Sequence, residues 1–124
     1  MRNRAPFAAA LVVLLWLPST GVADDQFKYY WSTYEYDLFY ANTSPDDPEK
    51  AERLEATLLK IIKQSDTSGR KPPPGILAEY GFFLYERGQT DEAIEYFERE
   101  AGQWPESRVF MERVIVSLRT GEAE

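Results

Sequence analysis

Apolar residues recur three and four positions apart through most of this chain, the spacing that places them on one stripe of an α-helix. In PEKAERLEATLLKIIKQ, Ala51, Leu54, Leu58, Ile61 and Ile62 form such a stripe, while Glu52, Arg53, Glu55, Lys60 and Lys63 face water. Asp47 is placed to cap this helix with Pro48 at its first position. Ser65 to Gly75, SDTSGRKPPPG, predicts a linker where the chain reverses, because three consecutive prolines cannot donate helical hydrogen bonds. Ile76 to Arg87 is the next predicted helix, with Gly88 at its end. Thr90 is placed to cap a helix over Asp91 to Gln103 with the stripe Ala93, Phe97, Ala101 and Trp104. Pro105 stops it, and Ser107 caps a last helix, Arg108 to Arg119, carrying Phe110, Met111, Val114, Ile115 and Leu118 before Gly121.

Upstream lies FKYYWSTYEYDLFY, residues 27–40, which holds eight of the eighteen aromatic side chains. Trp31, Tyr34 and Leu38 keep helical spacing and are predicted to be core, together with Phe27 or Tyr30. Tyr29, Tyr36 and Tyr40 fall on another face of that helix and are surplus to the core, which makes them candidate partner-binding residues. Tyrosine suits an interface, since it offers rigid contact area and a hydroxyl at little entropic cost. About five helices, with strand alternation nearly absent after residue 41, give an all-α fold.

Between Pro74 and Ser107 the spacing is more specific: Leu77-x-x-Tyr80-Gly81-x-x-Leu84, then Ala93-x-x-x-Phe97, then Trp104-Pro105. This resembles one tetratricopeptide repeat, a helix–turn–helix unit in which glycine and alanine permit a close crossing and proline ends the second helix. The resemblance implies a repeat core of Leu77, Tyr80, Gly81, Leu84, Ala93, Phe97, Trp104 and Pro105. One repeat cannot bury its own apolar face, so a degenerate repeat before it and a helix after it complete a short hairpin stack. The mature chain resembles a small Gram-negative family, domain of unknown function 4810, through Tyr29-Tyr30-Trp31-x-x-Tyr34, Pro73-Pro74-Gly75-Ile76-x-Ala78-Glu79-x-Gly81, Ala93-Ile94-x-Tyr96-Phe97-x-x-Glu100 and Trp104-Pro105-Glu106-Ser107-x-x-Phe110-Met111. That resemblance implies an outer-membrane lipoprotein, often encoded beside a curli-secretion-channel-like lipoprotein, hence a place in an envelope assembly. The family's lipobox cysteine is absent here.

The amino terminus refines this expectation. Arg2 and Arg4 precede the apolar run FAAALVVLLWL, residues 7–17, which is too short to span a bilayer but suits a secretory signal. Small residues around Gly21-Val22-Ala23 predict cleavage after Ala23, against the alternative of a retained anchor. The expected organisation is a signal peptide over 1–23, a lead over 24–28, a helical domain over 29–121 with its best repeat at 74–107, and a tail over 122–124. The chain carries a formal net charge of −7, and loss of Arg2 and Arg4 makes it −9. Such acidity disfavours nucleic acid and anionic lipid as partners. With no cysteine there is neither a disulfide nor a lipid attachment site, so no membrane insertion is expected after cleavage. The expected location is periplasmic or secreted, with outer-membrane association through a partner.

With neither histidine nor cysteine, Ser-His-Asp and Cys-His catalysis and the usual zinc ligands are excluded. Asp46-Asp47 and Asp91-Glu92 sit at helix starts, where anions favour the dipole, and Glu98 and Glu100 lack the spacing of a calcium loop. No enzyme activity, cofactor or metal is expected. The expectation is a protein–protein interaction adaptor of the envelope whose partner is another envelope protein, such as the co-encoded channel-like lipoprotein. A glycan-binding module and a purely structural subunit are the alternatives; the sequence leaves oligomeric state open.

Overall fold

The computed structural model describes residues 29–121, which form five α-helices and no strand. They are α1 (Tyr34–Thr43), α2 (Pro48–Thr67), α3 (Ile76–Glu86), α4 (Thr90–Gln103) and α5 (Arg108–Thr120), with a single 3₁₀ turn at Pro105–Ser107 ahead of α5. The predicted signal peptide, lead and tail, and with them Phe27, lie outside the described residues. Each helix packs mainly on its neighbours in sequence: α1 on α2, α2 on α3, α3 on α4, α4 on α5. This is the contact pattern of a chain folded from successive hairpins.

The longest helix follows directly from its stripe. Leu54, Leu58, Ile61 and Ile62 are buried as their spacing requires, and Asp47 accepts the Glu49 N–H at 3.1 Å as the cap. Contrary to the predicted linker, the helix continues through Ser65 to Thr67. Ser65 is buried on the same stripe, and the prolines that forbid helix begin only at Pro72. The helix stops where Gly69 adopts φ +67°, with the Gly69 and Arg70 amides donating back to the Asp66 and Ser65 carbonyls. Gly88 ends α3 in the same way, with φ +78° and bonds from Gly88 to Tyr85 and from Gln89 to Leu84. Both ends have the Schellman geometry that glycine adopts without steric penalty.

Two apolar clusters fill the interior. One joins α2 to α3 through Leu54, Leu58, Ile61, Ile62, Ile76 and Leu77, and the other joins α3, α4 and α5 through Leu84, Ala93, Ile94, Phe97, Ala101, Met111 and Ile115. Tyr80 and Tyr96, edge-to-face at 4.8 Å, pack against both and make them continuous. Full burial of each large apolar side chain is worth about 1.5–3 kcal/mol, so this interior dominates the stability of a disulfide-free chain.

Within the second cluster, Gly81 and Phe97 set the α3–α4 spacing. A Cβ built on Gly81 would lie 2.7 Å from Phe97 Cε1, and Phe97 is fully buried with its ring 4.9 Å from that of Phe82. Gly81 is therefore a point of close approach between the two helices, while Gly102, exposed on α4, would meet nothing within 4 Å. Gly102→Ala is expected to stabilise by about 0.5–1 kcal/mol through reduced chain entropy in the unfolded state. Urea denaturation measures it, and a lower midpoint would show that α4 is not helical at that position.

Exposed ion pairs cross three further helix contacts. Arg87 of the α3 end forks onto Glu55 of α2, Arg99 of α4 meets Asp66 of α2 at 2.9 Å, and Arg119 of α5 meets Glu98 of α4 at 2.7 Å. Each adds at most about 1 kcal/mol, so they adjust register rather than hold the stack.

Several expected details differ. The aromatic stretch is not one helix: Ser32 takes φ +49°, which a right-handed helix excludes, and α1 starts only at Tyr34. Tyr30 is exposed rather than core, and Phe110 is 60% exposed on the outer side of α5. Neither Thr90 nor Ser107 caps its helix through a side chain. Thr90 is already the first residue of α4, and the Ser107 hydroxyl instead donates to Glu100.

Candidate functional site: the outer face of α1

Three aromatic rings stand out from the first helix. Tyr36, Phe39 and Tyr40 are 52%, 60% and 37% exposed, on a helix whose other side, Tyr34, Leu38 and Ala41, packs half-buried on the α2–α3 cluster beside Trp31 of the preceding turn. Tyr36 and Tyr40 are four residues apart on the helix, and their centroids are 4.3 Å apart; Phe39 stands edge-on to Tyr40 at 5.4 Å. The Tyr36 phenol is held above its ordinary pKa by hydrogen bonding to Tyr40 and by the repulsion that would arise between the two phenolates. The face thus presents a pre-packed aromatic patch of the type enriched at interface centres.

The third tyrosine predicted for this face is elsewhere. Tyr29 precedes the helix because of the turn at Ser32 and lies half-buried, edge-on to Trp31 at 6.3 Å and to Trp104 at 5.8 Å. It ties the segment ahead of α1 to Trp104, just beyond α4. It also borders, with Trp31, Glu35, Tyr36 and Pro74, an open groove of about 900 Å³ on the near side of α1.

Beneath the patch is a buried acid that the pattern of the sequence does not reveal. Asp37 is 2% exposed. Its Oδ2 accepts the hydroxyls of Thr33 at 2.6 Å and Thr57 at 2.7 Å, and Oδ1 faces Arg53 Nε at 2.8 Å. Burial is the largest influence on this carboxyl and pushes its pKa up, but the two hydroxyls and Arg53 together outweigh it and hold the group below the usual carboxylate range. The acid thereby fastens α1 to α2 and fixes Arg53, whose guanidinium lies 5.5 Å from the Tyr36 ring centre. Lys50 sits 5.4 Å from the Tyr40 centre and donates to Ser44 Oγ at 3.0 Å. Tyr36, Tyr40, Lys50, Arg53 and Asp37 enclose a cleft of about 200 Å³.

Two other acids are held away from this face. Glu100, fully buried on α4, accepts the Gly75 N–H at 2.8 Å and the Ser107 hydroxyl at 3.0 Å, which pins both loops that flank the α3–α4 hairpin. Its spacing from Phe97 and Ala93 on the apolar stripe was the signal that it points inward. Glu79 on α3 accepts the Tyr34 hydroxyl at 2.6 Å. Burial raises the Glu79 carboxyl pKa against the lowering effect of that bond, and burial followed by the same bond raises the Tyr34 phenol.

A raised carboxyl favours the folded state below the unfolded pKa of ~4.3, and that stability is lost as pH rises through the folded value. Glu79→Gln, a mimic of the protonated acid, is therefore expected to melt higher than the parent at pH 7 and together with it at about pH 4. Thermal melts at the two pH values check this; a lower melt at pH 7 would mean that the charged acceptor is what Tyr34 requires.

Of the predicted repeat residues, Leu77, Gly81, Leu84, Ala93 and Phe97 are buried, Tyr80 and Trp104 are half-buried, and Pro105 is exposed at the head of the 3₁₀ turn. Trp104 lies just beyond α4 rather than on its stripe. Among the described residues no cluster of three or more carboxylates is placed to hold a metal ion, and no helix is long and apolar enough to cross a membrane.

The family model for Domain of unknown function (DUF4810) matches residues 28–114, from the aromatic stretch into α5. The chain belongs to this family. No curated protein and no solved structure matches it. Membership in DUF4810 covers Tyr36, Phe39, Tyr40, Asp37, Arg53 and both core clusters as far as Val114, so the α1 face lies within the family domain.

Proposed function

We propose that this protein is a non-enzymatic adaptor of the cell envelope that docks another envelope protein on the outer face of α1. The observation that carries the reading is the exposed ring cluster of Tyr36, Phe39 and Tyr40, braced from below by the buried Asp37–Arg53 pair. Rings left in water while equivalent positions of the same helix are packed cost apolar hydration, which association relieves. A tetratricopeptide-like stack suits the role, because successive hairpins present extended surfaces without needing a catalytic centre. The envelope part of the reading is supported by the apolar run before Ala23, which has the pattern of an export signal, and the co-encoded outer-membrane lipoproteins that the family resemblance implies are the partners proposed.

The test is a crosslinked pull-down from the native envelope with the wild type and with the triple variant Tyr36→Ala, Phe39→Ala, Tyr40→Ala, after circular dichroism has shown both to be folded. The reading expects one discrete partner with the wild type and its loss from the variant. Equal recovery by both would move the interface off α1.

A glycan-binding role rests on a different observation, the groove beside α1 walled by Tyr29, Trp31 and Tyr36, where rings could stack on sugar faces and Glu35 accept hydroxyls. Saturable shifts of the Trp31 indole signal on titration with cell-wall oligosaccharide would favour it over protein docking.

A further inference from the structure

We infer that the cleft between Tyr36 and Tyr40 is a carboxylate clamp, and that the partner presents there a single acidic side chain next to an apolar residue that covers Phe39. The inference rests on the adaptor reading and specifies the chemistry of its partner.

The argument begins with Arg53. Asp37 Oδ1 lies 2.8 Å from its Nε as an ion pair without an aligned hydrogen bond, and among the described residues neither Nη has a hydrogen-bond partner, so the outer edge of the guanidinium is open as a two-pronged donor. Arginine that is planar, fixed at one edge and open at the other is suited to grip a carboxylate with two parallel bonds. Its position is not left to solvent: the buried carboxyl pairs with Nε electrostatically from 2.8 Å, and the guanidinium lies 5.5 Å from the Tyr36 ring centre. Lys50 supplies the second cation from the other side of the cleft, held by Ser44 and only loosely by Asp47 at 3.8 Å.

Charge decides how large the anion can be. Arg53 and Lys50 are balanced within the site by Asp37 and Asp47, and the chain is acidic overall at −7. A polyanion would meet long-range repulsion, whereas one carboxylate meets two local donors. A volume of about 200 Å³ has room for a carboxylate and its stem. Phe39, the most exposed of the three rings and the one without a cation over it, is left for an apolar neighbour.

The probe is acetyl-Phe-Asp-Phe-amide, titrated to about 5 mM against the isotope-labelled protein, with acetyl-Phe-Asn-Phe-amide as its neutral twin. The Asp peptide is expected to shift the Arg53 Nε–H and the amides of α1, with the Asn peptide at least about ten-fold weaker, as expected for loss of charge-assisted bonds. Arg53→Gln and Lys50→Gln are each expected to weaken the Asp peptide several-fold; the lysine variant touches no buried group, so it keeps the test decisive where loss of Arg53 disturbs the fold. Equal binding of the two peptides, absence of shifts with either, or indifference to Lys50→Gln would overturn the clamp. The two proposals fail separately. A native partner lost with Phe39→Ala but kept with Lys50→Gln would leave the adaptor standing without its clamp, and a peptide bound through Arg53 with no native partner at α1 would do the reverse.

Discussion

Phe97→Ala is expected to cost about 3–5 kcal/mol, a large part of the ~5–15 kcal/mol that holds a domain of this kind together. The ring is fully buried, contacts Phe82 and the backbone at Gly81, and lies in the cluster that joins α3, α4 and α5. Its removal leaves a void between helices that cannot close without moving a whole hairpin. The same contact predicts a change of sign. Gly81→Ala should destabilise the parent, since the new methyl would stand 2.7 Å from a ring with nowhere to go, and Gly81→Leu should cost about 1–3 kcal/mol by overpacking. In a Phe97→Leu background the obstacle is gone, and Gly81→Ala should become neutral or stabilising by up to ~1 kcal/mol from helix propensity. Urea denaturation of the four proteins of that cycle gives the coupling directly, and additive effects would separate Gly81 from Phe97.

Loss of Arg53 is expected to be worse than loss of Asp37, although Arg53 is the exposed member of the pair at 63% and Asp37 side chain is 1% exposed. Arg53→Ala leaves a charged carboxylate in the interior with only the Thr33 and Thr57 hydroxyls, and should cost about 2–4 kcal/mol. Asp37→Ala leaves a guanidinium that water can reach, and should cost about 1–3 kcal/mol, mostly from the stranded Thr57 hydroxyl. The pH dependence follows. The folded pKa of Asp37 is depressed, so its contribution is present above the unfolded value near ~3.9 and is lost as pH falls toward the folded one. The deficit of Arg53→Ala should therefore be largest near neutral pH and shrink below about pH 4, where Asp37 becomes protonated. Thermal melts of both variants from pH 7 to pH 3 distinguish this from a deficit that is constant with pH, which would mean packing of the Arg53 stem rather than its charge.

The helices themselves were plain in the apolar spacing, because a stripe such as Leu54, Leu58, Ile61 and Ile62 has one burial solution at helical period. Gly81 was legible for a related reason: a glycine amid large apolar residues in a helix loses stability unless something occupies the space of its side chain, and here that is Phe97. The start of α1 was not, since it turns on the positive φ of Ser32, a residue type with no marked preference for it. That single turn removes Tyr29 from the predicted tyrosine face and carries it to Trp104, a contact across most of the chain. Asp37 escaped because burial of an acid depends on partners far along the chain, here Thr57 and Arg53, whereas Glu100 kept the spacing of the apolar stripe and only its partner Gly75 was out of view. Phe110 was assigned inward on spacing alone. A last helix packs on one side only, so one of its two apolar edges remains outside.

The α1 face as a protein interface is tested most directly by placing a photo-crosslinking amino acid at Phe39 and, as a control, at exposed Glu95 of α4, and irradiating intact cells. The account predicts one discrete protein adduct from position 39 and none from position 95; an adduct from 95 with none from 39 would contradict it.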